Sequence, residues 1–469
     1  MSDSHARHAA PDADAAATLP HPGDTSQSGL AKPKATRTVR FWTVPIVITL
    51  VVLAALAVFY LGGILRPMTN LRHFPIAVVN EDAGPTGAQV LKGLLSGFDT
   101  EAYDVRVLGH DDAKHQLDTA QIYGVAVIPP NFSSKLRAYA KSALTPGRVE
   151  RPIILVSSNP RAGTLGASIA SQALTRALTM VDHRVGEQLS REVAQQAGRG
   201  PMPAAVTLML LNPIEVEPMA HNALPDGTGT GLSAFYYSLL LLLAGFTGSI
   251  VVSMLVDSML GFVPAEFGPV YRFAEQVKIS RFRTLLIKWA LMVVLALLTS
   301  GVYMFIASRL GMPIQHSLPL WLYGVFAIAA VGITSTSLIA VLGALGLLVS
   351  MFVFVILGLP SAGATVPLEA TPQFFGWLAK FEPMHQVFLG ARSLLYFDGQ
   401  ADAGLSQALT MTAIGLVIGL LLGGIVTWIY DRRGYHRIPP GFEASTEATT
   451  PSESAATAEL TTEATSAPE

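Results

Sequence analysis

Long, uncharged apolar runs punctuate the chain. Residues 41–65 carry no charge for about 25 positions, enough for a helix to cross a ~30 Å hydrocarbon core. Further runs cover 232–256, 284–307, 319–360 and 405–430. The run at 319–360 is about 40 residues long. A single helix of that length, rising about 1.5 Å per residue, would project far beyond a bilayer. It therefore splits into two spans, with a tight turn near 343–346. The pattern predicts a polytopic α-helical membrane protein with six transmembrane helices, one early and five together.

Residues 66–230 have a different rhythm. Four short β-branched or aromatic-rich segments, at 73–80, 103–108, 122–128 and 152–157, are bounded by turn residues and predict strands. Helices are expected between them. One is capped by Asp111 or Asp112 and runs to Gln121, another starts near Asn131, and a long one covers 164–196. On the last, Leu178, Val181, Val185, Leu189 and Val193 recur at spacings of three and four, one apolar stripe. Alternating strands and helices predict a large α/β domain. The chain leaves it through an extended stretch at 206–225.

Composition agrees with a bilayer setting. Hydrophobic residues are 51% and charged residues 14%, against about 25% charged in soluble proteins. Mean hydropathy is +0.45. A net charge of −2 gives no field that would gather nucleic acid. With no cysteine, disulfides, thiolate metal sites and cysteine nucleophiles are excluded.

Charge also sets the orientation. Lys32, Lys34, Arg37 and Arg40 precede the first span, while Arg272, Lys278, Arg281 and Arg283 lie in or beside the loop 257–283. Arg432, Arg433 and Arg437 follow the last span. The short connection at 308–318 holds only Arg309, and the stretch 361–404 only Lys380 and Arg392. Under the positive-inside rule both termini are cytoplasmic and the α/β domain is extracytoplasmic. The first span is an uncleaved signal anchor. A cleaved signal peptide would carry a shorter apolar core of about 7–15 residues.

The expected organisation is a disordered cytoplasmic tail at 1–36, helix 1 at 37–65, and the outer domain at 66–230. A five-helix membrane domain covers 231–430, with an inner loop at 257–283 and an outer helical segment at 361–404. A basic flank and acidic disordered tail, with six glutamates after residue 437, complete it at 431–469.

Enzymatic chemistry finds no support. The chain has no G-x-x-x-x-G-K-[ST], H-E-x-x-H or G-x-S-x-G, so no catalytic residue or cofactor is expected. His110, Asp111, Asp112 and His115 are read as a helix start, not a metal site. No ionisable residue falls mid-span; Lys288 sits near enough to an interface to snorkel. That argues against an ion-coupled pump, so any uphill transport draws energy from a partner. Gly415, Gly419 and Gly423 form a double G-x-x-x-G, with Gly245 and Gly248 in an earlier span. These serve helix packing, within one subunit or between two. In the inner loop, Val270, Phe273 and Val277 oppose Arg272, Glu275 and Lys278, predicting a short amphipathic helix that rests on headgroups or docks on a soluble partner. The aromatic stretch 372–397 predicts two short helices at the outer interface. Asn80, Glu81, Asp82 and Gly84 end the first strand. They form a turn with Gly84 at positive φ, or offer carboxylates to a ligand.

Four segments carry a family resemblance. FPIAVVNEDAG (74–84) and YGVAVIPPNFS (123–133) resemble the outer domain of the phage-infection-protein (YhgE/Pip) family. NPIEVEPMAHNALPDGTGTGLSAFYYS (212–238) is similar to that family's approach to its second helix. FEPMHQVFLGARSLLYFDG (381–399) resembles the related uncharacterised branch that includes fungal nitrosoguanidine-resistance proteins. The resemblance spans roughly 37–437. It implies the membrane domain of a type-2 ABC (ABC-2) exporter, working as a homodimer or heterodimer with a separate ATPase subunit. The first inner loop would then supply the coupling helix, with Glu266, Tyr271, Arg272, Glu275, Lys278 and Arg281 as its contact candidates. The expected function is a permease subunit of a bacterial plasma membrane, exporting an amphipathic small molecule or lipid. The alternative is a non-transporting phage receptor or type VII secretion scaffold.

Overall fold

The computed structural model describes residues 38–142, 150–197, 204–272 and 274–435. The expected tail at 1–36, the acidic tail beyond 435 and Phe273 lie outside the described residues. The chain divides into two compact units, 1–56 and 57–469. In the first, the described residues form most of helix α1 (Val39–Ile64), with most of its large apolar side chains exposed.

In the second unit, β1 (Phe74–Asn80), β2 (Tyr103–Val107), β3 (Gly124–Ile128), β4 (Ile153–Ser158) and β5 (Glu215–Ala220) form one sheet, ordered β2-β1-β3-β4-β5. β1 is parallel to β2 and β3, β4 is antiparallel to β3, and β5 is parallel to β4. Parallel neighbours need crossovers, and α2 (Pro85–Gly97) and α3 (His110–Asp118) provide them around β2. α4 (Phe132–Ser142) precedes β4; α5 (Thr164–Ala197) and α6 (Ala204–Leu211) precede β5. β1 is apolar at nearly every position because both its faces are covered. Ile76 and Val78 join one core with α5, whereas Ala77 and Val79 join another with Ala113 and Leu117 of α3. The predicted stripe Leu178–Val181–Val185–Leu189–Val193 is buried throughout.

The pattern missed or misread several local elements. α2 was not expected: Pro85, Gly87, Gly93 and Gly97 obscure it, yet Val90 and Leu94 pack into the core and hold it. The stretch 206–225 opens as α6 rather than extended chain, because AAVTLMLL is apolar on every face and has no period to read. Asp111 and Asp112 lie in the first turn of α3, not at its cap, which is Gly109.

The remaining helices are α7 (Ser233–Met259), α8 (Arg281–Arg309), α9 (Ser317–Leu342), α10 (Ala344–Met351), α11 (Gly358–Ser361), α12 (Gln373–Leu378), α13 (Pro383–Tyr396) and α14 (Leu405–Arg432). A π-helical turn, Phe352–Ile356, joins α10 to α11 in one apolar stretch. Among the described residues, six helices are long and apolar enough to cross a membrane: α1, α7, α8, α9, the α10–α11 stretch and α14. The break before α10 falls at Gly343, whose φ of 61° suits glycine. α12 and α13 answer the two short helices expected near 372–397.

α9 lies at the centre, buried continuously from Ala327 to Ile333. Small residues and hydroxyls make its contacts. Gly245 of α7 meets Val331, and a Cβ there would come within 2.7 Å of it. The Ser249 hydroxyl donates to Ser335 Oγ at 2.7 Å, and the Trp289 indole N–H of α8 donates to Ser337 Oγ at 3.2 Å. From α14, a Cβ on Gly419 would fall 2.8 Å from Thr334 Cα, and one on Gly423 2.8 Å from Ser337 Cβ.

The inner-loop amphipathic helix is not formed. β6 (Ala265–Phe267) and β7 (Val270–Arg272) pair as a two-stranded antiparallel hairpin instead. Gly268 takes φ 59° at its turn, followed by Pro269, whose missing N–H and fixed φ oppose a continuing helix. Residues 274–280 then run without helix until Ser280 caps α8, accepting from the Arg283 N–H at 3.2 Å.

Candidate functional site

The ends of α7, α9 and α14 and the start of α8 enclose a cleft of about 690 Å³. Lys288, seven residues into α8, lines it together with Asp257 of α7. Their side chains pair at 2.9 Å, and Lys288 is only 1% exposed. Lys288 therefore does not snorkel to an interface. Two antiparallel neighbours bring a carboxylate within reach, and a paired ammonium tolerates burial that a lone one does not. Asp431, at the end of α14, accepts from the backbone N–H groups of Arg281 and Phe282, each at 2.9 Å. It thus satisfies donors at the α8 N-terminus. The Arg281 Nε–H donates to the Tyr435 carbonyl at 2.7 Å, and its guanidinium lies 5.7 Å from the Tyr430 ring centre. The cleft wall along 339–343 ends at the Gly343 break.

The coupling candidates separate. Arg281 lines the cleft. Glu266 and Tyr271 are register partners in the hairpin, and Arg272, Glu275 and Lys278 are exposed around it.

A second, smaller pocket of about 190 Å³ lies further along α9, between the π-helical turn, α13 and α14. Its lining is apolar apart from Thr334, Thr412 and Gln386. Leu338 lines this pocket and Ile339 lines the cleft, so adjacent residues of α9 serve both. Gly415 borders the pocket; its carbonyl accepts from the Thr334 hydroxyl of α9 at 3.3 Å, but a Cβ there would meet no atom within 4 Å. The glycine stripe thus divides: a Cβ on Gly419 or Gly423 would collide with α9, and one on Gly415 would not.

The Asn80–Gly84 segment is a capping device. Asp82 is 8% exposed. One oxygen accepts from the Ser133 N–H at 3.2 Å; the other accepts from the Ser133 hydroxyl and from the Gly87 N–H at 3.1 Å. Asn80 Oδ1 accepts from the Asp82 N–H at 3.1 Å. Glu81 instead faces His110, 2.8 Å from its Nδ1. Gly84 does not use positive φ; its φ is −85°. Glycine is needed there for space, since a Cβ would come within 2.5 Å of Ser133 Cβ. Among the described residues, no group of three His, Cys, Asp or Glu side chains could hold a metal ion.

Sequence pattern also gave no sign of the polar seam between the sheet and α13. The Tyr123 hydroxyl donates to Glu369 Oε2 at 3.3 Å. Burial pushes both acids up and the nearby Arg392 down. Arg392 donates to the Ala162 carbonyl at 3.0 Å and Arg161 to the Tyr396 carbonyl at 3.0 Å. At the start of α13, the Glu382 carboxylate accepts from the His385 N–H at 2.9 Å. Burial raises Glu382 to about 7 and lowers His385 to about 4.

Residues 45–419 match the model of a family described as "Protein of unknown function (DUF3533)", and the chain belongs to that family. No curated protein and no solved structure matches it.

Proposed function

We propose that this DUF3533 protein is the permease subunit of an ABC-2-like exporter. It moves an amphipathic small molecule or lipid out of a bacterial cell across the plasma membrane, energised by a separate ATPase. One observation carries the reading: a charged cleft and an apolar pocket follow one another along the central helix α9. A cargo with a polar head and an apolar body finds matching surroundings in that order. The polarity of the bundle supports the orientation. Arg281, Arg283, Arg432 and Arg433 gather at the cleft end, which is cytoplasmic under the positive-inside rule. The sheet is bound to α13 and, through Tyr396 and Ser233, to the start of α7, so it belongs outside. Both termini are then inside. The hairpin replaces the expected helix as the surface for the ATPase, and the exposed faces of the spans meet lipid or a second subunit.

The test is affinity purification in mild detergent, with ATP hydrolysis assayed on the eluate. Wild type is compared with Arg272→Glu/Glu275→Arg. An ATPase that accompanies wild type and is lost from the variant supports the proposal. Wild-type protein with no ATPase, whose deletion alters no compound's efflux, overturns it and favours a receptor or secretion scaffold.

A further inference from the structure

The pocket beside Gly415 is lined by two side chains with an unused hydrogen-bonding atom, Gln386 and Thr412, and of these the Gln386 carbonyl can only accept. Gln386, on α13, is 1% exposed and lines the pocket. Its side-chain NH₂ donates to the carbonyls of Ala379 and Lys380, at 2.8 and 3.2 Å. Carbonyls only accept, so this contact decides which end of the amide is which. The nitrogen faces the backbone, which leaves Oε1 as the free end of the amide. Oε1 is buried and has no hydrogen-bond partner. Buried acceptors are nearly always satisfied, and an exception calls for an explanation.

The walls restrict what could satisfy it. No charged side chain lines the pocket, so a charged head would lose its hydration and find no counter-ion. Val331, Leu338, Val353, Phe354, Val387 and Ile418 are among the apolar residues that line it. The π-helical turn contributes Val353 and Phe354 to one wall, a local irregularity that frequently accompanies functional sites. The way in lies at the side of the bundle. Gly415 leaves open space where a side chain would stand, and Ile414 and Ile418 beside it are exposed, at 46% and 57%. Exposed isoleucines on a membrane-spanning helix face lipid, so the opening faces lipid too.

We infer that this pocket binds a neutral, single-chain amphiphile taken from the bilayer, whose head group, an alcohol or an N–H amide, donates a hydrogen bond to Gln386 Oε1. The binding does not depend on an ATPase or on transport, and it is read separately from them.

The experiment uses the full chain in phosphatidylcholine nanodiscs. Three probes of one chain length, 1-decanol, decyl methyl ether and decanoate, compete with radiolabelled 1-decanol, and affinities are expressed per mole fraction in the bilayer. The alcohol is expected to bind saturably and roughly tenfold more tightly than the ether, which cannot donate. Decanoate at pH 8 is expected not to compete. Gln386→Met removes the acceptor and should bring alcohol and ether together. Gly415→Leu fills the opening without touching Gln386 and should abolish binding of both. Equal affinity for alcohol and ether in wild type, or no saturable binding, would overturn the inference without bearing on whether an ATPase co-purifies.

Discussion

Asp82 holds Ser133 at two points, through its backbone N–H and its hydroxyl, although 51 residues separate them in the chain. The same carboxylate accepts from Gly87. Gly87 lies in the first turn of α2 and Ser133 in the first turn of α4, so one side chain caps two helices. Two segments singled out for their resemblance to one family, 74–84 and 123–133, thus meet at a single carboxylate.

Asp82→Ala is therefore expected to destabilise the α/β unit by about 2–4 kcal/mol. Each lost cap costs about 1 kcal/mol, and the buried donors left behind add to it. Ser133→Ala should cost about 1 kcal/mol. Hydrogen exchange checks both: amides of α2 and α4 should lose protection while those of α9 keep theirs. Unchanged exchange in α2 would remove Asp82 from its double role.

Breaking the Lys288–Asp257 pair from one side should be costly. Lys288→Ala is expected to lose about 3–5 kcal/mol, because Asp257 keeps its charge without this partner. The double change Lys288→Met/Asp257→Leu should recover most of that loss. Thermal midpoints in detergent distinguish the two. A double variant as unstable as the single one would show that the charges are needed for more than each other.

The three glycines of α14 should behave unequally. Gly419→Ala and Gly423→Ala each press a methyl against α9 at distances real Cβ atoms do not adopt, and overpacking of this kind costs about 1–3 kcal/mol. Gly415→Ala meets open space and gains helix propensity, so its thermal midpoint should match or exceed wild type. Equal losses at all three would contradict the division of the stripe.

Glu382 and His385 predict opposite pH dependences. The Glu382 carboxyl titrates near 4.5 when unfolded and at about 7 when folded. The folded protein then holds more protons, and the stability Glu382 contributes falls as pH rises through that window. His385 titrates near 6.5 unfolded and at about 4 folded, so its contribution rises with pH between those values. Each effect is on the order of 3 kcal/mol from end to end, and they oppose one another where they overlap. Relative to wild type, Glu382→Gln should therefore grow more stable from pH 4.5 to 6.5, and His385→Gln less stable. Parallel stability–pH curves for both variants and wild type would refute the opposition.

The spanning helices were legible because an apolar run long enough for a bilayer is a one-dimensional signal; even the break at Gly343 shows in the length of the 319–360 run. The strands of the sheet and the stripe on α5 were readable for the same reason, since each follows a short period. What escaped depends on partners distant in sequence. Lys288 looks like an interfacial lysine until α7 places Asp257 beside it. α2 is weak in propensity and is held by Val90 and Leu94. In the inner loop, the spacing of Val270 and Val277 suggested a helix, but Gly268–Pro269 carried the stronger local instruction. Gln386 is an ordinary polar residue in sequence; only the carbonyls of Ala379 and Lys380 show which way its amide points.

The sheet takes its last strand from just ahead of α7. β5 pairs alongside β4, yet α5 and α6 intervene in the chain. During synthesis, then, β4 waits with one edge bare until residue 220 has emerged. A bare edge invites pairing with any extended chain nearby. The α/β unit can close only as α7 is about to be made, so completion of the sheet and insertion of the second span become nearly simultaneous events in the birth of this protein.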